Sequence, residues 1–370
     1  MTSMQHKFGA LDLIRAGLQD LDRARTLFDE LHNDGIDDDR MRLLLATLEK
    51  ACDPDIALSN LVDIIKVMQS QGKDFTNIIA DENSFVRLIT VLGVSDEMGK
   101  LMRFRPELVE AAANDACESH LYNHEQRRAH VLKSVGADPN DHTMPTASLP
   151  LAEAATALRK TYRKQLAAIM AQDATANDPI EIQPRISTEL SDLADAALEG
   201  ALAIARHEVD GSEHVRFAII GMGKLGAQEL NYVSDVDLIY VVEPADMDTN
   251  GMALSRIGTK IATTLQRVCQ SVIMGVAEPT LWQIDGGLRP EGKDGPLVRR
   301  LESHEAYYEQ WAENWEFQAL LKARPVAGDT DLGQAYMDMT RPFVWTASKR
   351  DNFVYDCQQM RKRVEDLIPN

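Results

Sequence analysis

Gly221-Met222-Gly223-Lys224-Leu225-Gly226-Ala227-Gln228-Glu229-Leu230-Asn231-Tyr232-Val233-Ser234-Asp235-Val236-Asp237-Leu238 is the stretch around which this chain is organised. An apolar run, Val215-Arg216-Phe217-Ala218-Ile219-Ile220, leads into it. That run predicts a buried strand ending in glycines, where a backbone can approach a phosphate closely. A second run, Val236-Asp237-Leu238-Ile239-Tyr240-Val241-Val242, leaves it as another strand. Asp235 and Asp237 stand two residues apart at the mouth of that strand, so period-2 alternation puts both carboxylates on one face. Two carboxylates sharing a face repel unless something positive sits between them, and a hard divalent cation suits that place.

Outward from this stretch, the chain divides by pattern. From Leu11 to about His130 apolar residues recur at helical spacing, broken by Asn33-Asp34-Gly35, Asp53-Pro54-Asp55 and Gly93. No fixed period recurs, which argues against a solenoid. His120 and His124 have i, i+4 spacing, with His130 nearby, but no convergent acid accompanies them as in H-E-x-x-H, so they read as solvated helix-face histidines. Ala137 to Pro150, with Pro139, Pro145 and Pro150, has loop composition and marks a boundary. Helices are expected over Leu151–Gln172 and Ser187–His207, with Pro184 in a break between them.

Beyond the second strand, Ile257, Ile261, Leu265, Val268 and Val272 share one face of a helix suited to packing on a sheet. Pro279 to Ile284 reads as a third strand ending on Asp285. The loop that follows, Gly286 to Pro296, is rich in glycine and carries Arg289 and Lys293. Ser303 to Ile368 returns to helix, with Trp311 and Trp315 expected in the core.

Composition bounds the chemistry. The chain has 370 residues, enough for two or three domains at roughly 150 residues each. With 39 Lys and Arg against 58 Asp and Glu the net charge is −19, which offers no electrostatic footprint for nucleic acid. Cys52, Cys117, Cys269 and Cys357 lie far apart with no metal or disulfide spacing, so reduced thiols are expected. The N-terminus lacks an apolar signal region and no window is long and apolar enough to span a bilayer, so a cytoplasmic protein without a membrane partner is expected.

The three acids Asp235, Asp237 and Asp285 are the set that in-line attack on a phosphorus needs, where cations held by carboxylates on neighbouring strands neutralise the entering and leaving oxygens. Gly221 and Gly223 would present backbone amides to phosphates, with Lys224, Arg289 and Lys293 as positive partners. The plain alternatives are a surface role for Lys224, a helix-face charge at Glu229 and a loop-ordering role for Arg289. Gly221 to Gly226 also satisfies G-x-G-x-x-G, with Glu243 placed 22 residues beyond Gly221 as a Rossmann ribose acid would be. Only eight residues, Ala227 to Ser234, then remain for the crossover, which is short. A Walker A loop fails on spacing and on Leu225.

Gly223-Lys224 followed by Asp235-Val236-Asp237 resembles the signature of the DNA polymerase beta-like nucleotidyltransferases. The longer stretches G-M-G-K-L-G-A-Q-E-L-N-Y-V-S-D-V-D-L, I-D-G-G-L-R-P-E-G and W-E-F-Q-A-L-L-K-A-R-P-V-A-G-D resemble the family of bifunctional glutamine synthetase adenylyltransferase/adenylyl-removing enzymes. That resemblance implies a predominantly helical α+β fold, with a mixed nucleotidyltransferase sheet flanked by N-terminal and C-terminal helical regions. Its expected domains are a helical one over 1–150, the nucleotidyltransferase core with leading helices over 151–300, and a C-terminal helical region over 301–370.

The family carries two such domains in tandem and one motif copy is present here, so the resemblance implies half an enzyme. Lys224, Asn231 before Tyr232 and the long helical leader resemble the N-terminal, adenylyl-removing half. The implied reaction is phosphorolysis of an AMP-tyrosine on glutamine synthetase by inorganic phosphate, giving ADP. Asp235, Asp237 and Asp285 would hold two Mg²⁺ ions. Gly221, Gly223, Lys224, Ser234, Arg289 and Lys293 would bind nucleotide or phosphate. A PII-type signalling protein and glutamine are the implied regulators of the whole enzyme. The alternatives are the ATP-using adenylylating half and a catalytically silent module that binds nucleotide or partner.

Overall fold

In the computed structural model, residues 8–73, 75, 78, 80–113, 122–246 and 250–366 are described. The chain forms two units, one of Met1–Leu121 with Arg163–Ile186 and the other of Tyr122–Tyr162 with Ser187–Asn370. His120, Cys117 and the first seven residues lie outside the described part.

The first unit is helical because polar caps alternate with apolar stripes. Its early helices are α1 (Ala10–Arg15), α2 (Leu21–Asn33), α3 (Asp38–Leu48) and α4 (Pro54–Ser70). They are followed by α5 (Glu82–Val94), α6 (Asp96–Phe104) and α7 (Pro106–Ala113). Asp20, Asp37, Asp53, Asp81 and Ser95 each accept a backbone N–H from the first turn of the helix they precede, satisfying donors that would otherwise be orphaned. The apolar stripes meet in a core that includes Leu44, Leu61, Ile64, Phe85, Leu88 and Met102.

The second unit begins with α8 (His124–Ser134). Next come α9 (Leu151–Thr175) and α10 (Pro179–Glu208), long helices of which residues 151–162 and 187–208 belong to this unit. Pro184 lies inside α10 and not in a break. It is the sixth residue of the helix, where its missing N–H removes one ladder bond, to Ile180 O, without ending the helix. The segment 137–150, with its three prolines, lies within this unit.

Among the described residues, five strands form one sheet. β1 (Val215–Gly221) and β2 (Val236–Pro244) pair antiparallel, with Ile219 opposite Tyr240 and Gly221 opposite Leu238. Between them lies a single helical turn, α11 (Gly223–Gly226), and after them α12 (Gly251–Gln270). The antiparallel pairing excludes the Rossmann reading, which needs parallel strands joined by a crossover helix. β3 (Ile284–Asp285) and β4 (Val298–Arg299) run parallel to β2. The expected third strand is thus only its last residue plus Asp285, because residues 279–283 make no ladder.

The expected C-terminal helical region contains a strand. After α13 (Leu301–Gln310) and α14 (Asn314–Leu320), β5 (Arg324–Gly328) pairs antiparallel with β1. α15 (Thr330–Ala347) and α16 (Phe353–Asp366) complete the chain. The two faces of the sheet bury different partners. Ala218, Ile220, Ile239 and Val241 share a core with Tyr308, Phe317, Leu332 and Tyr336. On the other face Val242 meets α12 so closely that a Cβ on Gly258 would lie 3.0 Å from it. Trp311, expected in the core, is 72% exposed, while Trp315 is half-buried. Tyr308, Phe317 and Phe343 fill that space instead.

The class is therefore α+β and mainly helical, a small mixed sheet between helical segments. No helix among the described residues is long and apolar enough to cross a membrane. Cys52, Cys269 and Cys357 are unpaired thiols.

Candidate active site

The strands bring the sequence-predicted acids to one end of the sheet. Asp237 is the register partner of Asp285 across β2 and β3. Backbone pairing therefore sets their separation, since parallel neighbours lie about 4.8 Å apart. Val236 N–H donates to Gln283 O at 2.9 Å, which ties the residue after Asp235 to the approach of β3. Asp235 and Asp285 line one cavity of about 270 Å³, together with Gln283, Gly287, Arg289 and Lys293.

Electrostatics records the crowding. Burial, and then the charges of Asp235 and Asp285, push the Asp237 carboxyl up to about 6, with Lys224 pulling the other way. Asp235 and Asp285 on the cavity, with Asp237 beside Asp285 in the ladder, offer only hard oxygen donors, the type that suits Mg²⁺ or a similar cation, and lack the sulfur or imidazole that softer metals prefer.

The glycine turn is built against Asp237. Met222 N–H donates to Asp237 O at 2.9 Å. Gly223 adopts φ +51, and a Cβ there would lie 2.2 Å from Asp237 Oδ2. Only glycine lets the backbone take this path beside the carboxylate. Gly221 closes β1 where a Cβ would lie 2.6 Å from the Val326 side chain. From the first turn of α11, the exposed Lys224 ammonium reaches Ser234 Oγ at 3.5 Å.

On the opposite side, Gly287 N–H donates to Asp285 Oδ1 at 2.7 Å. Arg289 lines the cavity, but its guanidinium donates to Gly286 O at 2.6 Å, to Lys293 O at 3.1 Å and to Gly295 O at 3.1 and 3.3 Å. It orders the loop that presents Lys293, whose side chain is exposed. Glu229 is a surface residue paired with Lys322 at 2.7 Å.

Sequence reasoning missed a polar strip on α10. Ser191, Asp192 and Asp195 stand among leucines and alanines and contact the segment after the glycine turn or its Arg324 anchor. The available signal was carboxylates at helical spacing among Leu and Ala. His124, read as solvated, stands 3.6 Å from Asp195, whose proximity raises the imidazole pKa. Among the described residues His124, Asp192 and Asp195 offer ligand atoms within 4.8 Å of one another. Arg324 already donates to both oxygens of Asp195, which opposes a cation there.

The profile of the family described as "Glutamate-ammonia ligase adenylyltransferase" matches residues 85–339. A bifunctional glutamine synthetase adenylyltransferase/adenylyl-removing enzyme of Bifidobacterium longum (strain DJO10A) is 74% identical over 369 residues, covering 100% of this chain and 34% of the relative. Proteins of the same description from Cutibacterium acnes (strain DSM 16379 / KPA171202) and Leifsonia xyli subsp. xyli (strain CTCB07) are 40% and 41% identical, each covering 97% of this chain and 36% and 35% of the relative. The chain thus spans about a third of the length of these relatives.

Proposed function

The chain belongs to the glutamate-ammonia ligase adenylyltransferase family, and on that footing we propose that it is a nucleotidyltransferase that removes AMP from a tyrosine of glutamine synthetase by phosphorolysis. The observation that carries the reading is the pairing of Asp237 with Asp285 across β2 and β3, with Asp235 and Asp285 lining one cavity and a glycine turn packed against Asp237. The direction of transfer rests on Lys224 after the second glycine and on Asn231.

In the proposed reaction an oxygen of hydrogen phosphate forms a bond to the AMP phosphorus as the bond to the tyrosine oxygen breaks. The phosphate proton ends on the phenol, and the products are ADP and unmodified tyrosine. Phosphate carries its own negative charge at neutral pH, so no side-chain base is required. Lys224 and Lys293, one on either side of the carboxylates, hold phosphate oxygens by charge-assisted hydrogen bonds. The backbone of the glycine turn comes close to the nucleotide because no Cβ intervenes at Gly223. Arg289 keeps the second loop in shape. Mg²⁺ held by Asp235, Asp237 and Asp285 would supply positive charge to the entering and leaving oxygens.

The test is to incubate the chain with adenylylated glutamine synthetase and Mg²⁺, with and without inorganic phosphate, following the mass of the synthetase and ADP. Loss of AMP with ADP formed only when phosphate is present supports the removing activity. Gain of AMP by unmodified synthetase from ATP would reverse the direction. Silence in both leaves a binding module or an activity that needs more of the relatives' length than this chain spans.

A further inference from the structure

We infer that Arg324 and Asp195, together with Ser191 and Asp192 on the same helix, are positioning residues that hold the glycine turn and hence Lys224 at the place where it meets phosphate, an inference that rests on the function proposed above. The β1–β2 pairing fixes Gly221 and Asp237, but it does not fix what lies between them. α11 is a single turn, closed by backbone bonds from Gln228 N–H to Leu225 O at 3.1 Å and from Glu229 N–H to Lys224 O at 2.8 Å, and nothing in those local bonds ties it to the rest of the fold.

Arg324, at the start of β5, supplies that tie. Its Nη2 donates to Leu225 O at 3.1 Å and its Nε to Gly226 O at 3.3 Å. The same guanidinium donates to Asp195 at 2.6 and 3.2 Å, a bidentate pair with a carboxylate that is wholly buried. One planar group therefore links the glycine turn to α10. A lysine could keep the charge but not the fork.

Two further bonds extend the hold along the segment. Gln228, at φ +56 in the left-handed region, donates through Nε2 to Asp192 Oδ1 at 3.2 Å. Leu230 N–H donates to Ser191 Oγ at 3.4 Å. Residues 195, 192 and 191, in that order, thus grip the segment 225–230 as it passes, the first of them through Arg324. There is no slack on the near side either, since a Cβ at Gly226 would lie 1.9 Å from Lys322 O. Lys224 sits on the turn so gripped, while the carboxylates belong to β2 and β3. The strip acts on the cationic half of the site and leaves the acidic half in place.

The test compares the wild-type chain with Arg324→Lys, Asp195→Asn and the milder Ser191→Ala. In phosphorolysis of adenylylated glutamine synthetase, Arg324→Lys and Asp195→Asn should lower kcat about 10- to 100-fold with KM for the protein substrate unchanged, the pattern of a misplaced group and not of lost binding. Amide hydrogen exchange over 224–230 should quicken at least about tenfold in both, and to a lesser degree in Ser191→Ala, while 215–221 and 236–242 stay protected. Unchanged kcat in all three variants, or exchange that rises equally over the strands, would overturn the inference. Should the wild-type chain itself be silent, the proposed function falls and the exchange pattern alone decides whether these residues hold the turn.

Discussion

Asp237 on β2 and Asp285 on β3 stand opposite one another in a parallel ladder, so two carboxylates are kept side by side by backbone hydrogen bonds that do not depend on what lies between them. Burial and the charges of Asp235 and Asp285 then make ionisation of Asp237 unfavourable. Such a site stores repulsion that a bound cation relieves.

Asp237→Asn should therefore have opposite effects on turnover and on stability. Phosphorolysis should be lost. Thermal unfolding in chelator at pH 7 should show a more stable chain, by roughly 1–2 kcal/mol once partial exposure is allowed for. A lower melting temperature would contradict the account of the carboxylate cluster.

The same carboxyl gives a pH dependence with a definite sign. Its folded pKa of about 6 lies above the ordinary 3.8, so its contribution to stability is complete below the ordinary value and is lost as pH rises through about 6. In chelator, the gap between Asp237→Asn and wild type should open over that window. Mg²⁺ should raise the melting temperature of wild type more at pH 7 than at pH 5, where Asp237 holds its proton. Equal Mg²⁺ shifts at the two pH values would count against Asp237 as a ligand.

Gly223→Ala and Gly226→Ala should fail for different reasons. At Gly223 the added methyl would enter the space of Asp237 Oδ2 and the residue would remain at φ +51. Activity should fall at least about 100-fold while the fold survives. At Gly226 the methyl meets the Lys322 carbonyl, a backbone atom with no room to yield, and stability should fall by about 2 kcal/mol or more. Paired thermal unfolding and rate measurements separate the two.

His124 supplies a second pH signature, with the same sign as Asp237 but a different cause. Its pKa is raised by Asp195, with Asp192 and Glu125 adding to the effect and burial opposing it. The stabilisation is full below the ordinary 6.5 and disappears as pH climbs through the raised value. His124→Asn should therefore be less stable than wild type at pH 6 and equal to it near pH 9, with a gap of about 1 kcal/mol or less because the ring is half-exposed. A gap that persists unchanged at high pH would assign the effect to packing.

Much of the fold was legible in the residues. Val215–Ile220 and Val236–Val242 read as buried strands because their apolar runs are continuous, and they are β1 and β2. The helical leader was legible from Asp caps and apolar stripes, which are local signals. β5 was not: Arg324-Pro325-Val326-Ala327-Gly328 carries a proline and small residues that read as a break, and it is a strand only because β1 offers it an edge. Trp311 was misplaced because it falls just past the end of α13, in the break before α14, where helical spacing no longer sets its direction.

The sequence by itself determined the acids, the glycine turn and their spacing, since alternation along a strand and the freedom of glycine act within a few residues. Only the tertiary structure decided which acid faces which, through the register of β2 and β3, and that Arg324 would reach Asp195, 129 residues away. Pairing register and a buried guanidinium fork are properties of surfaces brought together by folding, and no local pattern encodes the partner that a strand edge or a buried charge will find.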